Sequence, residues 1–371
     1  MKVLMISTDK KIFDKNSPVR QRMIEYGKLA EELHIIVFSG RGYNEGNLSG
    51  NTYVYPTNSP NRWFYVFNAS KIGKKIIDKL GAISKDIIIT AQDPFESGFV
   101  AWLIAKKKKI RFQLQVHTDF LNQYFTHGSL INQVRVMLAL FLVPKASCLR
   151  VVSQRIKTSI IRSFNINESK ISVLPIFADL DAMRQSEIKT HLHKRYPQFE
   201  KIVLVASRLE KEKNIPLAIS AFAKVIKKYP KAGMVIVGEG REKERLEKWV
   251  KEYGIQNSVL FEGWQDDLSG HYKTADLFVS TSNYEGYGLS ILMAYALSCP
   301  ILTTDVGLVG ETIRYGDIGV CDVGDVGCFI NKMISALSAG RKESPLSMSG
   351  VMDKKEKYLE EHKAQWEKCL V

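Results

Sequence analysis

Apolar residues in the first half of this chain fall into short runs rich in β-branched side chains: KVLMIS, LHIIVFS, DIIIT, IRFQLQVH, CLRVVS and ISVLPI. Runs of this length and composition predict strands, and the stretches of helical period between them predict helices. Residues 18–33 read as one such helix, with Asn16 and Ser17 as candidate caps and Pro18 suited to the first turn. The strand–helix rhythm predicts a parallel sheet covered on both faces. The opening MKVLMISTD is too short and too quickly polar for a signal peptide and reads as the first strand. The longest purely apolar run, residues 136–143, predicts a buried helix, since no window reaches the ~18 apolar residues of a membrane span.

The rhythm breaks between Asp179 and Glu200, where DLDAMRQSEIKTHLHKRYPQFE has little apolar period. It restarts with KIVLVASRL, the helix pattern IPLAISAFAKVIKKY and the strand GMVIVGEG. In residues 242–253, Leu246, Trp249, Val250 and Tyr253 share one helical stripe, and Gly254 stands where a C-terminal cap belongs. SVLFEG, DLFVST and PILTT predict further strands, and KKEKYLEEHKAQWEKCLV predicts a charged helix anchored by Tyr358 and Trp366. A chain of 371 residues exceeds one typical core. The predicted division is a first domain over 1–180, a linker over 181–199, a second domain over 200–352 and a C-terminal helix over 353–371.

Charge adds an asymmetry. Residues 1–200 carry 30 Lys and Arg against 16 Asp and Glu, and residues 201–371 carry 23 against 23, so the whole excess of +14 lies in the first half. Such a field suits an anionic membrane surface, a phosphorylated substrate or nucleic acid; a Lys-rich solvated surface is the plainer alternative. Five scattered cysteines without C-x-x-C spacing predict reduced thiols, a cytoplasmic protein and no zinc site.

Candidate chemistry concentrates in the second half. In ASRLEKEKN, Arg208 ends a strand and Lys213 follows in a loop, a cation pair suited to a diphosphate. In NYEGYGLS, Gly286 and Gly288 precede a helix whose free N–H groups make an anion site. Glu285 beside them suits sugar hydroxyls. LQVHTDFL puts His117 and Asp119 at a strand end in the first half. No G-x-G-x-x-G follows the first strand and no Walker A sequence occurs, which counts against nicotinamide and ATP- or GTP-hydrolysing enzymes.

In order and spacing, ASRLEKEKN, VIVGEG, VLFEGW, ADLFVSTSNYEGYGLSILMAYALSCPIL and TTDVGLVGETI resemble the second half of family-four retaining glycosyltransferases, covering about residues 201–325. HTDF and ISVLPIFADLD resemble that family's first half less closely. There Ile176-Phe177 replaces an Asn-Gly, and Ser17-Pro18 replaces a Gly pair. The resemblance implies an α/β fold of two Rossmann-like domains facing across a cleft (GT-B), with the C-terminal helix crossing back to the first. It implies a nucleotide-sugar donor bound mainly by the second domain, an acceptor bound mainly by the first, and no metal or other cofactor. Asp179-Leu180-Asp181, the lone D-x-D, lies at the linker. The catalytic set it implies is His117, Arg208, Lys213 and Glu285. Donor contacts fall on Gly240, Trp264, Gly286, Tyr287, Gly288, Leu289 and Met293, and acceptor contacts on Ser17, Arg20 and Asp119.

The family carries two glutamates eight positions apart. Glu285 matches the first, and Met293 stands where the second grips the ribose. Hydrogen bonds to a charged group are worth about 1.5–3 kcal/mol, so this loss weakens donor binding by roughly ten- to a hundredfold unless another group substitutes. The expected activity is metal-independent hexosyl transfer with retention, in cell-surface glycan synthesis. The acceptor is a glycan or a polyprenyl-diphosphate-linked lipid, and nucleic acid is not expected as a partner. Residues 72–79 and 106–109 are candidate contacts with an anionic membrane. The rivals are a non-hydrolysing sugar-nucleotide epimerase and a nucleotide-sugar-binding protein with weak or no transfer.

Overall fold

The computed structural model describes residues 1–81, 85–341 and 354–371. The chain forms two units, Met1–Pro175 together with Lys354–Val371, and Ile176–Asp353. The first contains β1 (Lys2–Ser7), α1 (Pro18–Gly27), β2 (Glu32–Val37), β3 (Gly46–Ser49), β4 (Thr52–Pro56), α2 (Tyr65–Leu80) and β5 (Ile87–Ala91). It continues with α3 (Glu96–Lys108), β6 (Arg111–Val116), α4 (Gln123–Thr126), α5 (Leu130–Leu142), β7 (Cys148–Val151), α6 (Gln154–Phe164) and β8 (Ile171–Val173).

Eight strands form one sheet in the order β3-β4-β2-β1-β5-β6-β7-β8, parallel except for the antiparallel β3–β4 edge. The apolar runs of β1 and β5 are buried because helices cover both faces. Helices α2, α3 and α5 pack side by side, with α3 in the middle. Ser17 caps α1 by accepting from Val19 N–H at 3.1 Å, and Pro18 occupies the first turn. This helix ends at Gly27 and not at Leu33, because residues 32–37 are claimed by β2.

The second unit holds α7 (Leu180–Gln185), α8 (Leu192–Arg195), β9 (Lys201–Ala206), α9 (Ile215–Val225), β10 (Ala232–Val237), α10 (Lys243–Glu252) and β11 (Val259–Gly263). Then come α11 (Ser269–Thr274), β12 (Leu277–Ser280), α12 (Leu289–Ala296), β13 (Ile301–Thr304), β14 (Gly319–Cys321) and α13 (Val326–Ala339). Its six strands are all parallel, in the order β11-β10-β9-β12-β13-β14. Phe222, Leu246, Phe329 and Met333 centre its core.

Helix α14 (Lys355–Leu370) belongs to the first unit, with Tyr358 and Trp366 buried as anchors. Tyr26 of α1 and Tyr358 join hydroxyls at 3.0 Å. The expected boundary at 352/353 lies outside the described residues.

Three expectations are corrected. The stretch 181–199 is part of the second unit and no free linker: Leu192 and Phe199 are buried, and Leu192 N–H donates to the Thr274 hydroxyl. The cysteines are not all reduced thiols. Cys148 pairs with Cys369 and Cys321 with Cys328, leaving Cys299 free and buried. Partners 221 positions apart in sequence are invisible to spacing. The run 136–143 is buried on one side only, since Met137, Leu140 and Phe141 are exposed. Among the described residues no helix is long and apolar enough to cross a membrane.

Candidate active site

In the second unit, β9 ends at Ala206 and its following loop carries Arg208 and Lys213. Glycine is required beside this loop, because a Cβ on Gly240 would lie 2.2 Å from the Leu209 carbonyl oxygen. The close approach brings the loops after β9 and β10 together at the carboxyl ends of the strands, where ligands of such sheets bind. Arg208 is exposed and bonds Glu212 at 2.9 Å. Lys213 is largely buried and meets Glu285 at 2.5 Å. The Ser282 hydroxyl donates to the same Glu285 oxygen at 2.8 Å. Both cations thus hold carboxylates in this state, and the Lys213–Glu285 pair joins two residues that the sequence reading gave separate roles.

Gly288 adopts φ of 94° and leads into α12 without a side-chain cap. The first N–H groups of α12 therefore stay open to an anion next to Glu285. Gly286 and Tyr287 are buried. The Tyr287 carbonyl accepts from Leu308 N–H at 2.8 Å, and burial followed by the Glu311 carboxylate pushes its phenol up to about 12. Tyr287 is thus a packing residue of the loop. Trp264 is 59% exposed, with its indole N–H donating to Asp266 at 3.0 Å.

Leu289 and Met293 line a separate cavity of about 350 Å³ with Phe177, Met183 and Asp267. Two carboxylates, Asp179 and Asp267, line the same cavity, and Asp179 is taken up by capping α7, which leaves Asp267. Its Oδ1 accepts from the Ser269 hydroxyl and backbone N–H, which hold its pKa below the usual carboxylate range. Sequence reasoning missed Ser282 and Glu212, and it reached Asp267 only as the end of the loop 263–267 expected to meet the donor base. The pair Asp179/Asp181 is occupied locally: Asp179 caps α7 and Asp181 bonds Arg184. Among the described residues no group of three or more His, Cys, Asp or Glu is placed to hold a metal ion.

His117 and Asp119 belong to the first unit, just past β6. Arg150 on β7 is 3% exposed, and no carboxylate bonds it among the described residues. Its Nη1 donates to Gln115 Oε1 at 3.0 Å and to His362 Nε2 at 3.2 Å, and its Nη2 donates to the Tyr358 hydroxyl at 3.0 Å. Arginine only donates, so the Gln115 atom it touches is the oxygen. His117 Nε2 lies 3.1 Å from that oxygen and therefore carries the proton, leaving Nδ1 as the acceptor. Gln115 Nε2 in turn donates to Thr90, which donates to Gln113. Burial, then the Arg150 and Arg22 cations, push the His117 pKa down to about 3, so the imidazole is neutral at pH 7. A lone arginine in the apolar run CLRVVS was the available signal for this network. Burial raises Asp119 above its ordinary range, against the pull of Arg155 and Asn122.

Ser17 is committed to its cap, whereas Arg20 lines a cavity of about 720 Å³ with Lys10, Lys11 and Lys15. Phe13 and Tyr43, rings 4.6 Å apart, form part of its wall.

The family model described as glycosyl transferases group 1 matches residues 189–349, and glycosyltransferase family 4 matches residues 27–182. The poly(glycerol-phosphate) alpha-glucosyltransferase of Bacillus subtilis is 36% identical over 102 residues, 28% of this chain and 15% of that protein. The alpha-monoglucosyldiacylglycerol synthase of Streptococcus pneumoniae is 28% identical over 256 residues, 64% of this chain and 57% of that protein. The chain thus spans less than two thirds of either relative. Sucrose-phosphate synthase of Thermosynechococcus elongatus superposes with a TM-score of 0.73 at 17% identity, covering 100% of this chain and 94% of that one. HepE of Anabaena in complex with UDP-glucose gives 0.68 at 16%, covering 100% and 93%. Two parallel-sheet α/β units with these neighbours, and family matches across both, make the chain a member of the GT-B glycosyltransferases, with a family 4 first half and a group 1 second half.

Proposed function

We propose that this enzyme moves a hexosyl group, with retention, from a nucleotide-sugar donor to a hydroxyl of a glycan or lipid-linked acceptor in cell-surface glycan synthesis. The observation that carries the reading is the Lys213–Glu285–Ser282 cluster beside the open N-terminus of α12. In the reaction, the bond from the anomeric carbon to the leaving phosphate oxygen breaks. The acceptor oxygen bonds that carbon from the same face, and its proton passes to the leaving phosphate. Arg208, Lys213 and the α12 amides meet the charge that develops on the diphosphate, which makes a metal unnecessary in this reading. Glu285 accepts from the sugar hydroxyls once phosphate takes over Lys213. His117 offers its Nδ1 to a hydroxyl near the anomeric centre. The UDP-glucose complex of HepE supports the donor class.

The cation-lined cavity of the first unit suits an acceptor that carries phosphate, with the Phe13–Tyr43 rings as a surface for sugar faces. Asp267 takes the part of the missing ribose-gripping glutamate. We place the work at the cytoplasmic side of a membrane, a reading that no longer draws on the cysteines.

Met293, on an apolar stretch of wall, favours a second reading: a nucleotide-sugar-binding protein with weak or no transfer. A thermal-shift panel of UDP-, GDP-, ADP- and dTDP-sugars without metal tests both. A shift with one donor, lost in Arg208→Ala and Glu285→Ala, supports the site, and turnover of that donor then decides between the readings. No shift with any donor at millimolar concentration overturns the donor site.

A further inference from the structure

Helix α5 is apolar on opposite sides. Val136, Ala139 and Leu142 pack inward, while Leu130, Ile131, Val134, Met137, Leu140 and Phe141 are 42–78% exposed. Leu130, Val134, Met137 and Phe141 follow the i, i+4, i+7, i+11 spacing of a single stripe about 17 Å long. A surface helix of a water-soluble unit carries polar residues there. Across α3, the start of α2 adds Trp63 at 91% exposure, Phe67 at 68% and Phe64 at 47%. All three helices follow strands of one parallel sheet and run the same way, so these aromatics and the start of α5 lie at the same end.

The charge around them is one-sided. Residues 62–80, 96–109 and 130–145 carry 11 Lys and Arg against two acids, Asp78 and Glu96. Both acids are already paired, Asp78 with Lys108 and Glu96 with Arg135 at 3.0 Å. That leaves +9 of the chain's +14 on this face. Lys106 lies over the Trp102 ring and Lys145 over Phe141, so cations stand directly beside the exposed apolar surface.

We infer that the α2–α3–α5 face docks on an anionic bilayer, with the α5 stripe and the aromatics at the start of α2 dipping into the interface and the lysines meeting the headgroups. A second copy is a poor occupant, because an isologous contact would set +9 against +9. Exposed apolar side chains on a face that also carries lysines are the pattern of an interfacial helix. The inference rests on the proposed reading only for its purpose, and it moves the membrane contact expected at residues 72–79. There Gly73, Ile76 and Ile77 pack inward, and the fully exposed positions are Lys75, Asp78 and Lys79.

The test is co-sedimentation of the full chain with phosphatidylcholine vesicles, with and without phosphatidylglycerol. The wild type is expected to bind the anionic vesicles, and raised salt weakens this without abolishing it. The double substitution Val134→Glu/Met137→Glu, at exposed positions, is expected to lower binding at least about tenfold, as is Lys106→Glu/Lys107→Glu. Equal binding by wild type and both variants overturns the inference. So does light scattering in which Val134→Glu/Met137→Glu dissolves a dimer while vesicle binding stays unchanged. A UDP-glucose thermal shift on the same variants separates the readings: a shift without vesicle binding sinks only this surface, and vesicle binding without a shift from any nucleotide sugar sinks only the donor site.

Discussion

Lys213 and Glu285 sit in surroundings that make each depend on the other, for the side chains are 13% exposed and one oxygen serves both Lys213 and Ser282. Removing the lysine leaves the carboxylate without its cation. Lys213→Met is therefore expected to lower turnover by roughly 10²–10³, the scale of losing one preorganised charge partner. Circular dichroism should report an intact fold; unchanged turnover would remove Lys213 from the phosphate role. His117 depends on Gln115 in a different way. In Gln115→Glu a carboxylate would face both Arg150 and His117 Nε2, favouring the charged imidazole. The His117 pKa, about 3 in the wild type, should rise by about two units or more, read from imidazole nitrogen shifts in a pH titration. The wild-type signal should stay neutral down to about pH 4. His117 and His362 also give stability a pH dependence, since both have folded pKa values below the ordinary 6.5, through burial first and Arg150 second. The unfolded chain binds these two protons first, so stability is full above pH 6.5. It is lost as pH falls toward the folded values, by roughly 1.4 kcal/mol per group for each pH unit. Urea unfolding between pH 7 and 5 checks this, and His362→Gln, which keeps an acceptor for Arg150, should reduce the slope.

At the scale of the element, the strands, the order of helices and the glycine-led start of α12 were legible because period and turn residues are local signals. What escaped was set by tertiary placement. The run 136–143 looks buried in sequence, yet α5 lies at the edge of its layer and can bury only one side. Residues 181–199 looked polar enough for a linker, yet Leu192 and Phe199 suffice to fix them to the second unit. The Lys213–Glu285 pair spans 72 positions and the Arg150–His362 bond 212, and no spacing rule reaches that far. Met293 was legible as a departure, whereas the cavity it shares with Asp267 was not. That cavity yields a reciprocal expectation. If Asp267 replaces the ribose grip, Asp267→Asn should weaken UDP-glucose binding by about tenfold, the value of one charged hydrogen bond. Met293→Glu should then restore affinity in the Asp267→Asn background, measured by calorimetric titration. Loss of stability without any gain in affinity would show the cavity to be packing space and leave the ribose unassigned.

For the whole molecule, the first unit is assembled from both ends of the chain, and α14 reaches it after the entire second unit has been built. Trp366 at 0% exposure and the hydroxyls of Tyr26 and Tyr358 hold α14 by packing and hydrogen bonds. The Cys148–Cys369 bridge adds a covalent tie across 221 positions, and Cys321–Cys328 closes only 7. In the chain-entropy account the long closure contributes about 5 kcal/mol and the short one about 2.5 kcal/mol. Reduction should therefore weaken the first unit more than the second. Hydrogen exchange with and without reductant is the direct test: amides of β7, α14 and α1 should exchange faster once the long bridge opens, and those of β14 and α13 faster by a smaller factor. A nucleotide sugar should do the reverse, protecting the loops after β9 and β12 and leaving α14 unchanged. Thiol titration in denaturant sets the reference state, with one thiol, Cys299, expected before reduction and five after it. Five thiols from the start would mean that α14 is held by packing, hydrogen bonds and the Lys355–Glu25 ion pair without a covalent tie. In that case Trp366→Ala, which costs about 3–5 kcal/mol in a packed core, should release the helix by itself.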